Sequence, residues 1–248
     1  MARKKNNPPF ETNELRRSLR NFLRQPYIVG GEKGEPRAIG AHKWGVYIFY
    51  DYDGEPIYVG QTKEKVSGRI SRHLTNQRTD AVAMSVLDPY EVFEIEIYPL
   101  PEFDKVNSRH PDFSRAKQTL DALEYEVHKL AVARSRFRAI LNEKDPPAPA
   151  ISITLPHPLR GRIVSEEVLK LRGHADTRTA RRAQVISRLA QTIAERDVNT
   201  GLRRTLLTQA SRLRSIAEDR FAAMGGNASV ETGSEADDEA DGPRKKSE

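Results

Sequence analysis

Two runs of β-branched and aromatic residues, separated by a turn, decide the fold: GVYIFYDYDGEPIYVG, residues 45–60. The first run covers residues 45–52 and the second covers residues 57–59. Asp53-Gly54 lies between them, and an Asp-Gly pair between two such runs is a strong signal for a tight β-hairpin. The stretch therefore predicts two neighbouring antiparallel strands.

Three further segments extend this pattern along the chain. Residues 91–100 alternate between apolar and other side chains, which predicts a third strand. Val66, Ile70 and Leu74 recur every four residues, and residues 114–133 carry a longer stripe of the same kind. Both segments are therefore predicted to be amphipathic helices, and the fold class is α/β (α+β).

The flanking segments differ in composition from this central part. Residues 1–40 are predicted to form a basic N-terminal helix and a glycine-rich loop. A proline-rich run begins after Asp145, so the central domain is assigned to residues 41–145. The remaining units are an extended connector with a short helix (146–175), a basic helical hairpin (176–224) and an acidic tail (225–248) that is predicted to be disordered.

Charge and composition narrow the class of partner. The 248 residues carry a formal charge of +6, but residues 225–248 hold seven acidic against three basic residues, so the rest of the chain is more strongly basic. A basic body attracts polyanions, which makes nucleic acid the first partner to consider. No cysteine is present, which excludes disulfides, cysteine nucleophiles and thiolate-bound zinc. No apolar run reaches the roughly 18 residues of a membrane span, so we expect a cytoplasmic protein without a membrane partner.

A constellation of residues in this part of the chain indicates a chemical function. The triplets Gly45-Val46-Tyr47 and Tyr58-Val59-Gly60 lie in the two hairpin strands, and Arg69 and His73 follow on one helix face. Glu124 and Asn142 come later in the chain. This order resembles the GIY-YIG endonuclease family over about residues 40–145. The resemblance implies a nuclease domain with a small three-stranded antiparallel sheet flanked by helices.

The resemblance also implies a role for each residue of the constellation. Tyr47 would activate the attacking water, with Tyr58 as a phosphate contact or as the alternative base. Arg69 would stabilise the charge that develops on the phosphoryl group, which suits a planar and permanently protonated guanidinium. His73 would position Tyr47 or the phosphate, and Asn142 would anchor the edge of the site.

Glu124 would hold the metal ion, for which Mg²⁺ (or Mn²⁺) is expected because magnesium usually retains waters and takes few protein carboxylates. Glu126 lies two residues away and is the alternative ligand. The expected partner is DNA, with Lys63, Arg72 and Arg78 as further nucleic-acid contacts. The predicted activity is therefore a metal-dependent phosphodiester hydrolase. With one site per chain, a homodimer or two successive nicks would cut both strands most easily.

Two alternatives in other functional classes stay open from the sequence. A fold can persist after its activity is lost, so the chain could be a non-catalytic nucleic-acid-binding protein that retains the nuclease fold. It could also be a protein-interaction module with a basic face. The arginines of the C-terminal hairpin allow either DNA phosphate binding or packing on the domain; they are Arg178, Arg181, Arg182, Arg188, Arg196, Arg203, Arg204, Arg212 and Arg214.

Overall fold

The computed structural model describes residues 10–28, 36–75 and 86–226. The helices in these ranges are α1 (Phe10–Leu23), α2 (Val66–Leu74), α3 (Phe113–Arg134), α4 (Glu166–Arg172), α5 (Ala175–Glu195) and α6 (Thr200–Ala223). The strands are β1 (Pro26–Tyr27), β2 (Arg37–Ala38), β3 (Gly45–Tyr50), β4 (Pro56–Thr62), β5 (Glu94–Pro99) and β6 (Leu159–Arg162). The predicted α/β class is confirmed.

The central sheet has the strand order β4-β3-β5-β6, and all of its neighbouring strands are antiparallel. The predicted hairpin forms β3 and β4, and Gly54 at its turn has a φ of 73°, which favours glycine. Register pairs Tyr47 with Gly60 across the hairpin. The strand β4 forms one edge of the sheet and has no strand beyond it among the described residues.

The sheet has four strands rather than the three expected, because β6 comes from the segment predicted as an extended connector. This strand has one large apolar residue, Leu159, so it lacks the alternation by which strands are recognised in a sequence. Distant contacts hold it in place. Arg160 pairs with Glu94 on β5 and its guanidinium lies 3.8 Å from the ring centre of Tyr50.

Helices cover both faces of the sheet. One face buries Tyr47, Phe49 and Ile97 against α1 and α2, whose apolar stripes include the predicted Val66, Ile70 and Leu74. The other face buries Val46, Ile48 and Tyr50 against α3, through Leu120, Leu123 and Val127. No helix in the described part of the chain is long and apolar enough to cross a membrane.

The C-terminal helical hairpin of α5 and α6 packs on the sheet domain through four buried charged residues. Arg212 donates to Asp51 at 2.8 Å, and Arg182 donates to Glu91 at 3.1 Å. All four side chains are at most 4% exposed. Charges buried to this degree are stable only when they are paired, so the cluster fixes the hairpin in place.

Three more arginines of the hairpin pair with acidic residues of the preceding domain. These pairs are Arg178 with Asp53, Arg181 with Asp88 and Arg204 with Asp145. Five of the nine arginines in the hairpin that the sequence singled out therefore serve to dock the hairpin. The contacts support the packing alternative for these five residues rather than DNA phosphate binding.

We expect Arg212→Met to destabilise the fold by about 3 kcal/mol or more, because Asp51 and Glu91 would keep only one buried arginine between them. Thermal unfolding should then shift down by roughly 6 °C or more. The matched control is Arg214→Met, whose side chain is exposed and pairs only with Glu218 in the same helix. Equal melting temperatures for the two variants would contradict the role assigned to the buried cluster.

Candidate functional site

Three of the predicted site residues meet on the face of the sheet that α2 covers. The hydroxyl of Tyr47 lies 3.3 Å from Nδ1 of His73, and the two groups form a buried hydrogen bond. The ring of Tyr58 meets the edge of the His73 ring at 4.7 Å between centres. Tyr47 is fully buried, whereas Tyr58 is half-buried and reaches solvent. The sequence order of Tyr47, Tyr58 and His73 thus becomes one cluster in space.

Both triplets require glycine because atoms of neighbouring residues lie very close to the glycine Cα. A Cβ atom on Gly60 would lie 2.5 Å from the hydroxyl oxygen of Tyr47, because the tyrosine ring crosses over this residue. A Cβ on Gly45 would lie 2.7 Å from the carbonyl oxygen of Tyr98 on β5. Real Cβ contacts are essentially never that short, so a larger residue at either position would push the strands or the tyrosine away.

A cleft of about 740 Å³ lies at the C-terminal end of β4 and is lined by residues of both α2 and α3. We call it the catalytic cleft after the expected role of Arg69, which lines it; Tyr47, Tyr58, His73 and Glu124 are not among its lining residues. It is lined by more basic than acidic side chains: Lys43, Lys63, Lys65, Arg69 and Lys117 against Glu64 and Asp121. A polyanion is therefore the ligand that this cleft favours.

Arg69 is the predicted charge-stabilising residue, and it lines this cleft. Its Nε atom is buried and makes no hydrogen bond within the described residues. A buried donor without a partner is unfavourable in the unliganded protein. Arg69 is thus positioned in the cleft with unused hydrogen-bonding capacity.

The other predicted nucleic-acid contacts differ in their surroundings. The Lys63 ammonium lies 5.9 Å from the ring centre of Phe113 and lines the catalytic cleft. Arg72 is partly exposed and pairs with Glu64. Arg78 lies outside the described residues.

Glu124 lies on α3 and is joined to the catalytic cleft through Gln61. The Gln61 side chain lines the cleft and donates to Glu124 Oε2 at 2.9 Å. Burial, with a smaller contribution from the negative charge of Asp121, raises the pKa of Glu124 to about 7. Glu126, the alternative ligand, instead pairs with Lys129 at 3.3 Å. The contacts favour Glu124 over Glu126.

Asn142 forms a two-way link to the edge strand β4. Its Oδ1 accepts from the Val59 amide at 2.9 Å, and its Nδ2 donates to the Val59 carbonyl at 2.8 Å. The preceding Leu141 amide donates to the Ile57 carbonyl at 2.8 Å. Asn142 therefore holds the chain after α3 against β4.

The sequence analysis missed residues that complete the surroundings of Glu124 and Arg69. Gln61 follows the second triplet directly, and its position in the edge strand is the signal that could have identified it. Asp121 precedes Glu124 by three residues on a helix, a spacing that places both carboxylates on one face. Lys43, Lys65 and Lys117 are distant in sequence or lack any pattern that marks them.

The residues present fit a divalent cation that keeps most of its waters. No group of three His, Asp or Glu side chains within residues 10–28, 36–75 and 86–226 could hold a metal ion. Glu124 and Asp121 nevertheless lie on one face of α3, and burial is the main reason that the pKa of Glu124 is raised to about 7. Magnesium is commonly bound by one or two carboxylates plus waters and substrate phosphates, so this donor set suits it.

Comparison with known families decides the identity of the domain. Residues 43–103 match the family model of the GIY-YIG catalytic domain. The chain thus contains a GIY-YIG domain, as the two triplets predict, and this domain indicates a nuclease that acts on nucleic acid. The matched part includes Tyr47, Tyr58, Arg69 and His73. Searches of the curated proteins and of the solved structures each find no significant match.

We expect Glu124→Gln to stabilise the metal-free protein at pH 8 and to lose this advantage near pH 4.5. The pKa of Glu124 is raised to about 7 in the folded protein from 4.5, so the ionised carboxylate destabilises the fold above pH 7. After allowance for solvent screening, the gain at pH 8 should be about 1–2 kcal/mol, or a few degrees in thermal melting with EDTA.

Glu126→Gln is the matched control for this measurement, because its side chain is 36% exposed and pairs with Lys129. It should change the melting temperature little at either pH. A gain for Glu124→Gln that is the same at pH 4.5 and pH 8 would show that the carboxylate charge is not its cause.

Proposed function

We propose that this protein is a DNA endonuclease that hydrolyses phosphodiester bonds with the help of a divalent metal ion. The proposal rests on the GIY-YIG domain and on the positions of Arg69 and Glu124 relative to one cleft. Arg69 lines a basic cleft, and Gln61 connects the same cleft to Glu124. Phosphodiester hydrolysis requires a cationic hydrogen-bond donor and a carboxylate that holds a metal ion, both beside the cleft that takes the polyanion.

The basic residues of the cleft would bind and orient the DNA backbone. Lys63, Lys65 and Lys117 offer ammonium groups to phosphate oxygens. Arg69 lines the cleft and is half-buried, and its guanidinium would donate to the scissile phosphate. Its interaction grows stronger as negative charge builds up on the phosphoryl oxygens, so it lowers the barrier.

Glu124 would hold Mg²⁺ or Mn²⁺ as a carboxylate, with Asp121 adding negative charge on the same helix face. The bound ion would neutralise charge on the phosphate and on the leaving oxygen. Gln61 would keep Glu124 in orientation through its hydrogen bond to Oε2. Asn142 would keep β4, and with it Gln61, in position by its paired hydrogen bonds to Val59.

The accessibility of the two tyrosines favours Tyr58 as the group that accepts the proton of the attacking water. A base must come within hydrogen-bond reach of that water, and Tyr47 is fully buried. Tyr58 is half-buried and contacts His73, whose Nδ1 bonds the hydroxyl of Tyr47. Tyr47 and His73 would then position Tyr58 rather than act on the water directly.

The test of the proposed activity is cleavage of supercoiled plasmid with Mg²⁺ or Mn²⁺, against an EDTA control. Wild type should nick or linearise the plasmid. Arg69→Ala and Glu124→Ala should each lose about 100-fold or more in rate, whereas Glu126→Ala should stay active. If wild type binds DNA but cuts no form of it, the alternative of a non-catalytic nucleic-acid-binding protein is favoured.

A second prediction separates the two tyrosines with the same substitution at each. Tyr58→Phe should lower the single-turnover cleavage rate by about 100-fold or more, as expected for loss of a proton-transfer group. Tyr47→Phe keeps the ring over Gly60 and removes only the hydroxyl that bonds His73, so its loss should be about 10-fold. The reverse order would assign water activation to Tyr47.

A further inference from the structure

A second basic cleft, of about 460 Å³, lies between α1 and α2. We call it the helix-1 cleft. Its charged side chains are Arg16, Arg20, Arg24 and Lys65, and none of the described residues that line it is acidic. The hydroxyl residues Ser67, Ser71 and Thr75 line its α2 side. Positive charge beside hydroxyl groups is the lining that phosphate oxygens favour.

The three arginines project from one side of α1. They are spaced four residues apart, and all are exposed. None of them forms an ion pair with any residue that the structure describes. The acidic residues of the same helix are already engaged, because Glu11 pairs with Arg172 at 2.7 Å and Glu14 pairs with Arg17 at 2.5 Å.

The orientation of this arginine face is fixed by the packing of α1. Leu15, Leu19 and Phe22 are buried in the core on the adjacent face of the helix. The Phe22 ring lies so close to Gly161 of β6 that a Cβ there would be 2.7 Å from it. Thr12 also makes a 2.9 Å hydrogen bond with the hydroxyl of Tyr90. The arginines are therefore presented by a docked helix and not by a loose arm.

The helix-1 cleft and the catalytic cleft are adjacent, because Lys65 lines both of them. Lys65 precedes α2, and its side chain is exposed. Arg16 to Arg24 spans about 12 Å along the helix at 1.5 Å per residue, which is the axial rise of three to four phosphates of one DNA strand. The two clefts thus form one basic surface that a DNA backbone can follow.

We propose that Arg16, Arg20 and Arg24 bind the backbone of the duplex that flanks the cleavage position. This inference rests on the proposed function, since it assigns the flanking DNA a path out of the catalytic cleft past Lys65 and along α1. The contacts would be to phosphates and would supply affinity and register without reading base sequence.

The test is binding of a fluorescent DNA duplex of about 30 base pairs, measured by anisotropy in EDTA over a range of salt concentrations. The variant is the triple replacement Arg16→Gln, Arg20→Gln and Arg24→Gln. We expect the affinity to fall by about 10-fold or more, and the salt slope to fall by about 0.9 for each phosphate that the variant no longer neutralises. Replacement of the same three residues by lysine should restore most of the slope.

The matched control replaces three hairpin arginines that are equally exposed and have no ion pair within the described residues: Arg188→Gln, Arg196→Gln and Arg203→Gln. It changes the net charge by the same amount, so it separates local contacts from the overall field. Both variants should melt like wild type, since all six side chains are exposed.

The possible outcomes distinguish a failure of the α1 inference from a failure of the proposed function. A larger fall in affinity for the α1 variant than for the control supports the inference. Equal falls would overturn it, because a nonspecific charge effect would then explain the binding. If wild type does not bind duplex DNA at low salt, or binds without a salt slope, both the proposed function and the α1 inference fail. If wild type binds with a salt slope and cuts plasmid but the α1 variant binds as well as wild type, only the α1 inference fails.

Discussion

The close contact between the Tyr47 ring and Gly60 is the constraint on which the site depends. It requires a residue without a side chain at position 60 and fixes the tyrosine hydroxyl beside His73. The same hairpin register brings Tyr58 to the His73 ring and leaves Gln61 on the opposite face, where it meets Glu124. The contact between Tyr47 on β3 and Gly60 on β4 therefore fixes the positions of groups on both faces of the sheet.

The arginines of this protein divide into two populations by their surroundings. Those of the hairpin that are buried or docked, such as Arg182 and Arg212, are neutralised by acidic residues of the sheet domain. Arg16, Arg20, Arg24 and Arg69 have no acidic partner in the described structure, whereas Arg17 on α1 and Arg72 on α2 pair with Glu14 and Glu64. Because the paired arginines contribute little field outside the protein, net charge alone does not locate a polyanion surface.

Whether a feature could be predicted from the sequence depends on the sequence separation between the residues that form it. The hairpin and the helix with Arg69 and His73 were predictable because their signals are local, as a turn between two runs and an i, i+4 spacing. The docking of α5 and α6 depends on pairs such as Arg182 with Asp51, which lie 131 positions apart. The strand β6 likewise owes its place to β5, and no property of its own four residues indicates it.

Glu124 and Arg69 each hold a polar group in an unfavourable environment. The carboxylate is held where its ionised form is disfavoured, and the guanidinium Nε is buried without a hydrogen bond among the described residues. Both arrangements cost stability in the unliganded protein, and an amide or an apolar residue would cost less. Under the proposed function, a bound cation would relieve the first cost. The accessible part of the Arg69 guanidinium would meet the phosphate in the same cleft, so both groups would serve one bound state.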